Sequence, residues 1–302
     1  MRSIAIKQVD AFTTQPFAGN PAAVVTEAPA FSAAEMQAIA REMNVSETVF
    51  VLPATDPQAD LQIRWFTPTT EVALCGHATI ACFHALAEEG RLGAGGEART
   101  FKVQTRSGTL PVRVEPGAEG QIRVWFGLPR PEIRPCRLDR EALAELLGTR
   151  PAQFDPHLPF AEFYSYVVVP IRTLAALQDL SPDPHGLARL SRTTGVWGYC
   201  AVTLETIDAD SKVHIRFFAP SEGILEDPVT GSAHGPLGLF LWRNGVVAPT
   251  DGLIAYVGEQ GDGIGRPGRV HVRLQTAGAQ LECVEVGGAA VTVLAGVMQL
   301  PD

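Results

Sequence analysis

The chain has 302 residues, a length that fits two domains of ordinary size. It is 46% hydrophobic and 19% charged, a globular balance, and its 23 prolines and 29 glycines predict many turns and more short strands than long helices. A formal net charge of −9 argues against an extended nucleic-acid surface but leaves room for a small anion met by local N–H groups.

Ser3 to Phe12 alternates and is rich in branched residues, so it is read as the first strand. A turn-rich loop, Thr13 to Pro21, leads into the strand Ala22–Val25. Ser32 with Glu35 three residues on forms a capping box for a helix ending at Met43. Ser46-Glu47-Thr48 then opens the apolar strand Val49–Leu52. Glu47 admits two readings: an ordinary loop carboxylate, or a half-buried acid with a raised pKa that shuttles a proton near neutrality.

A helix from Gly76 to Glu89 is apolar on most sides and therefore expected inside a layer of strands. Strands are predicted at Phe101–Arg106, Thr109–Val114 and Gln121–Phe126, with a hairpin at Ser107-Gly108. Leu128-Pro129-Arg130-Pro131 is the best linker. Asp139 caps a helix to Leu147, and Glu162–Pro170 is read as one buried strand. Short helices at Leu174–Asp179 and His185–Thr193 precede strands at Ala201–Thr206 and Ser211–Phe218. A helix over Ser232–Arg243 stops at Asn244-Gly245, and strands follow at Leu253–Glu259, Arg269–Gln275, Gln280–Val286 and Ala290–Leu300. The Gly-rich stretch Gly261–Gly268 follows no strand-to-helix pattern, so a nucleotide-binding loop is rejected.

One phrase occurs twice. Ile63-Arg64-Trp65-Phe66-Thr67-Pro68, Glu71 and Cys75-Gly76-His77-Ala78-Thr79 are matched by Ile215-Arg216-Phe217-Phe218-Ala219-Pro220, Glu226-Asp227 and Thr230-Gly231-Ser232-Ala233. Each copy reads as strand, Pro-stopped turn and Gly-marked helix start. A single long repeat over half a chain suggests duplication with pseudo-twofold symmetry. Two such helix starts offer unpaired N–H groups around Gly76 and Gly231, a setting for a carboxylate. His77, Asp227 and Ser232 add polar side chains, and Glu47 is the candidate base. Singly, each has a plainer reading: Asp227-Pro228 as a turn or cap, Ser232 as an N-cap, His77 as a surface histidine, and Cys75 as small-residue packing.

The five cysteines (Cys75, Cys82, Cys136, Cys200 and Cys283) are odd in number and lack CxxC spacing, so reduced thiols in a cytoplasmic protein are expected, with no metal centre. The N-terminus lacks the apolar core of a signal peptide. The most apolar run, Gly287–Leu300, falls short of the roughly 18 residues of a spanning helix, so no membrane association is expected.

In these motifs, and in Asp10-Ala11-Phe12 through Gly19-Asn20-Pro21-Ala22-Ala23-Val24 and Ser46-Glu47-Thr48, the chain resembles the phenazine-biosynthesis PhzF-like family, relatives of diaminopimelate epimerase and proline racemase. The motifs occur in the family's order over nearly the whole chain. The resemblance implies an α+β fold of two pseudo-symmetric diaminopimelate-epimerase-like domains, each a β-barrel-like sheet around a central helix, with the active site between them. The expected domains are 1–128 and 129–288, with the strand 289–300 a candidate to return to the first. It further implies a cofactor-free isomerase, commonly a homodimer, acting on a small carboxylated substrate. Glu47 falls on the family's proton shuttle. His77, Asp227 and Ser232 fall on the residues that bind and orient substrate. The two cysteines of the epimerases fall on Cys75 and Thr230, so single-base chemistry on Glu47 is preferred to a two-thiol mechanism. The alternatives are an amino-acid racemase or epimerase using Cys75, and a non-catalytic small-molecule binder that keeps the fold.

Overall fold

The computed structural model describes residues 2–28, 31–92, 97–117 and 121–301. The chain divides into two compact units, Met1–Gly127 with Gly287–Asp302, and Leu128–Val286. Both mix α and β structure, so the α+β class that the resemblance implies is the one observed. Among the described residues no helix is long and apolar enough to cross a membrane.

In the first unit, Arg2–Ala11 pairs antiparallel with Ala290–Leu300 and with Asn20–Val25. Asn20–Val25 runs parallel to Glu47–Leu52. A parallel pair needs a crossover, and the helix Ala33–Met43 supplies it. Its capping box is formed as expected: Ser32 accepts from the Glu35 amide, and Glu35 accepts from the Ser32 amide. Glu47–Leu52 then pairs antiparallel with Leu61–Phe66, which bends back on Glu71–Val72 and runs parallel to Arg99–Thr105. Arg99–Thr105, Gly108–Pro116 and Ile122–Leu128 are consecutive antiparallel strands. The tight turn falls on Arg106-Ser107, one residue before the expected place, because Thr105 pairs with Gly108 and its hydroxyl donates to the Gly108 carbonyl.

The helix Gly76–Glu88 lies inside this frame. Ile80, Cys82, Phe83 and Leu86 are buried on successive faces, and strands Arg2–Ala11, Asn20–Val25, Glu47–Leu52 and Ala290–Leu300 pack on it. Each such fully buried large apolar side chain contributes about 1.5–3 kcal/mol over its exposed state. That burial, rather than capping, holds the helix: Cys75 is its N-cap and makes no side-chain cap bond.

The second unit repeats the connectivity. Tyr166–Pro170 runs parallel to Gly198–Thr203, with the helices Leu174–Gln178 and Pro184–Thr194 in the crossover. Gly198–Thr203 is antiparallel to Ser211–Ala219, which folds back on Ile224–Asp227 and runs parallel to Leu253–Gln260. Leu253–Gln260 is antiparallel to Gly268–Ala277. The helix Gly231–Arg243 is buried from Ala233 through Leu241.

Pro236 sits inside that helix, where it cannot donate to the Ser232 carbonyl one turn back. The Tyr166 hydroxyl takes the vacant role, 3.4 Å from the carbonyls of Ser232 and Ala233, and the Tyr256 hydroxyl donates to the His234 carbonyl.

The structure departs from two sequence expectations here. Glu162–Pro170 is not one strand but a hairpin of Ala161–Phe163 and Tyr166–Pro170. Its turn residues, Tyr164 and Ser165, lie at φ 44° and 68°, a left-handed conformation that neither residue type advertises. The next strand begins at Gly198 rather than Ala201, because Gly198, Tyr199 and Cys200 pair with the preceding parallel strand.

Candidate functional site

Glu47 is the first residue of its strand, and Cys75, Gly76 and His77 form the start of the buried helix. Gly76 also packs: a Cβ there would lie 2.3 Å from the Phe126 ring, so only glycine lets the helix start seat against that ring. The seat fixes His77 in the first turn, with Nε2 3.0 Å from Glu47 Oε2. Cys75 Sγ lies 3.5 Å from His77 Nδ1. Ser46 donates to the Pro21 carbonyl at 3.0 Å and offers its oxygen to His77 Nε2 at 3.3 Å. The Gly19-Asn20-Pro21 turn therefore anchors the group that steadies the imidazole.

Glu47 and His77 side chains keep 16% and 10% of their surface exposed, so a ligand reaches both while bulk water is mostly excluded. Burial pushes the Glu47 carboxyl up, but the charge of His77 close beside it outweighs that, and the net pKa is lowered. The raised value expected for a half-buried carboxylate is thus overturned by a partner two residues inside a distant helix. Burial works against a charged His77 too; the Cys75 sulfur and the Glu47 carboxylate reverse that and hold its pKa well above 6.5. Burial, reinforced by Glu47, pushes the Cys75 thiol up, while the neighbouring His77 pulls it the other way.

Glu47 Oε2 makes no aligned hydrogen bond despite its closeness to His77. Its charge is compensated by His77, yet Oε2 keeps the capacity to accept a hydrogen bond. A carboxylate in that condition can accept a proton.

In the second unit, Asp227 ends the strand Ile224–Asp227 and Thr230, not Ser232, is the helix N-cap. The Thr230 hydroxyl donates to the Asp227 carboxylate. Gln260, buried at 1% exposure, ties the corner together: its Oε1 accepts from the Thr230 amide at 2.8 Å, and its Nε2 donates to the Asp227 carbonyl at 2.8 Å. Sequence reasoning missed Gln260, because a single glutamine at a strand end carries no pattern. Gly231 is buried and Ser232 exposed in the helix's first turn. The structure therefore brings Glu47, His77 and Cys75 together in one unit, and Asp227, Thr230 and Gln260 together in the other.

The strand register identifies counterparts between the two copies. Thr48 stands opposite Phe66, and Tyr199 opposite Phe218, so Glu47 corresponds to Gly198. The helix starts align Cys75 with Thr230 and His77 with Ser232. Gly198 has no freedom to become an acid: a Cβ there would lie 2.6 Å from the Phe217 ring. The acid, the imidazole and the thiol all belong to one copy.

Comparison with known proteins agrees with this frame. The model of the family "phenazine biosynthesis-like protein" matches residues 9–296. The chain is 35% identical to the "uncharacterized isomerase YfhB" of Bacillus subtilis, over 96% of this chain and 97% of that one. It is 34% identical to the trans-2,3-dihydro-3-hydroxyanthranilate isomerase of Pseudomonas aeruginosa, over 93% and 94% of the two chains. The crystal structure of the Bacillus anthracis phenazine biosynthesis protein of the PhzF family superposes with a TM-score of 0.89 at 28% identity, over 99% and 100% of the two chains. With the motifs, the register and these likenesses in agreement, the chain belongs to the phenazine biosynthesis-like PhzF family and is an isomerase.

Proposed function

We propose that this isomerase moves a proton within a small carboxylated substrate, without a cofactor, using Glu47 as its single acid and base. Glu47 removes a proton from carbon, and the electron pair left behind spreads into the substrate's conjugated system and carboxylate. The protonated Glu47 then returns the same proton to another carbon of that system. Double bonds shift, no atom is gained or lost, and Glu47 ends as a carboxylate. His77 stabilises the anionic form of Glu47 between turnovers. Asp227 and Ser232, with the amides around Gly76 and Gly231, bind the carboxylate and orient a neighbouring hydroxyl or amine. The trans-2,3-dihydro-3-hydroxyanthranilate of the Pseudomonas relative is the first substrate to try, and a homodimer in the cytoplasm is the expected setting.

The observation that carries this reading is the asymmetry of the two copies. A racemase with two opposed bases needs one on each, and here the second copy has Gly198, Thr230 and Ser232 where the first has Glu47, Cys75 and His77, its own carboxylate, Asp227, being engaged by the Thr230 hydroxyl.

The test is solvent-deuterium incorporation into trans-2,3-dihydro-3-hydroxyanthranilate and a panel of cyclic and acyclic carboxylates. Wild-type exchange that falls by about 100-fold or more in Glu47→Gln supports the reading. Exchange at an amino-acid α-carbon that survives Glu47→Gln and vanishes in Cys75→Ser would establish the thiol racemase instead.

A further inference from the structure

Glu47, Cys75 and His77 bring a carboxylate oxygen, a thiol sulfur and an imidazole nitrogen within 4.8 Å of one another. His77 Nε2 lies 3.0 Å from Glu47 Oε2 and 4.0 Å from Cys75 Sγ. Around a tetrahedral zinc ion, bonds of about 2.3 Å to sulfur and about 2.0–2.2 Å to nitrogen or oxygen set ligand atoms roughly 3.3–3.6 Å apart. The 3.0 and 4.0 Å edges lie on either side of that spacing, and because Cys75 Sγ is nearer Nδ1, at 3.5 Å, the thiol and the imidazole both turn for Sγ and Nε2 to face one ion. From this geometry we propose that Glu47, Cys75 and His77 form a three-ligand site for a thiophilic divalent cation of the zinc class, with its fourth position open.

The choice of ion follows from the donors. Sulfur and imidazole select zinc-like ions, whereas magnesium and calcium require sets of oxygen ligands that this cluster lacks. A thiolate and a carboxylate on a doubly charged ion sum to zero, which suits a place that is mostly withdrawn from water. The positive end of the helix opposes a cation, but it equally favours the thiolate that the cation needs. The backbone that carries the donors is held before any ion arrives. Glu47 starts a paired strand, Cys75 and His77 sit on a helix start seated against Phe126, and Ser46 steadies the ring. The 16% and 10% exposure of Glu47 and His77 leaves a way in.

Binding does not depend on the proposed catalytic role, but its consequence does. An ion here occupies the lone pair with which Glu47 takes the substrate's proton, so it acts as an inhibitor.

Titration of the reduced protein with Co²⁺ tests the site, in a Cys283→Ser background so that the exposed thiol makes no contribution. The expected result is one equivalent bound, with the visible bands of tetrahedral cobalt, a near-ultraviolet sulfur-to-cobalt band, and displacement by Zn²⁺. The sulfur band disappears in Cys75→Ser, and affinity falls at least about tenfold in Glu47→Gln. Both changes are nearly isosteric, and circular dichroism confirms that each variant is folded. No tetrahedral spectrum, or one unchanged in Cys75→Ser, overturns the site. Zn²⁺ should also abolish the deuterium exchange described above, with recovery on adding a chelator. If Co²⁺ binds through Cys75 while exchange continues at saturation, the site stands and the inhibitory consequence fails together with the role given to Glu47.

Discussion

Arg64 and Arg216 hold the same place in the two copies: each clasps a glutamate with two parallel hydrogen bonds and lies over a phenylalanine ring. Arg64 binds Glu71 at 2.7 and 2.8 Å and stands 5.2 Å from the Phe66 ring; Arg216 binds Glu226 at 2.9 and 2.7 Å and stands 5.0 Å from Phe218. The forked pairing ties the turn after the strand to the strand itself, which sets where each helix begins.

The two clasps are not equally costly to lose. Arg216 also donates to the carbonyls of Leu177 and Leu180, at 3.1 and 2.8 Å. Arg216→Met should therefore destabilise the protein by about 3 kcal/mol or more, since it strands a half-buried Glu226 and those carbonyls. Arg64→Met should cost less, because Arg106 also reaches Glu71 at 3.3 Å. Urea unfolding of both variants gives the comparison, and equal losses would contradict it.

Tyr166 and Pro236 should be coupled. Tyr166→Phe removes the donor that serves the Ser232 carbonyl and is expected to cost about 1 kcal/mol. In a Pro236→Ala background the helix supplies its own amide to that carbonyl, so Tyr166→Phe should cost less there. A double-mutant cycle by thermal or urea unfolding measures the difference, and strict additivity would sink the idea.

Gln260→Met should lower stability by about 2 kcal/mol, because the Thr230 amide and the Asp227 carbonyl lose their buried partner. If Asp227 binds substrate, the variant should raise KM more than it lowers kcat. Gln260→Glu keeps the acceptor for the Thr230 amide but sets a buried carboxylate oxygen against the Asp227 carbonyl, and should cost at least as much in stability.

The Glu47–His77 pair makes a prediction with opposite signs at its two ends. Glu47 has a lowered pKa, so its stabilising contribution is complete above about 4.5 and is lost as pH falls through its folded value. His77 has a raised pKa, so its contribution is complete below about 6.5 and is lost as pH rises through a folded value well above that. The stability lost in His77→Gln should be greatest between those two folded values and shrink on either side. Unfolding curves across pH check it, and NMR titration should find the imidazole still protonated at neutral pH.

Much of this was legible in the sequence. The doubled phrase located both helix starts, and Ser32 with Glu35 announced a helix through local chemistry alone. The Tyr164-Ser165 turn was not legible, because its left-handed backbone is imposed by the strands on either side. Gln260 was invisible for a related reason: what it joins, Asp227 and Thr230, is close only after folding. The sign of the Glu47 shift was not legible either, because burial was apparent from its neighbours in sequence while the closeness of His77 was not.

The strand Ala290–Leu300 lies along Arg2–Ala11. Leu128–Val286 is thus an insert within the first unit rather than an appendage to it. On the ribosome the usual sequence of events is inverted: the insert can close while one edge of Arg2–Ala11 still waits for its neighbour, and during that wait a nascent chain exposes an open strand edge to any chaperone or sister chain nearby.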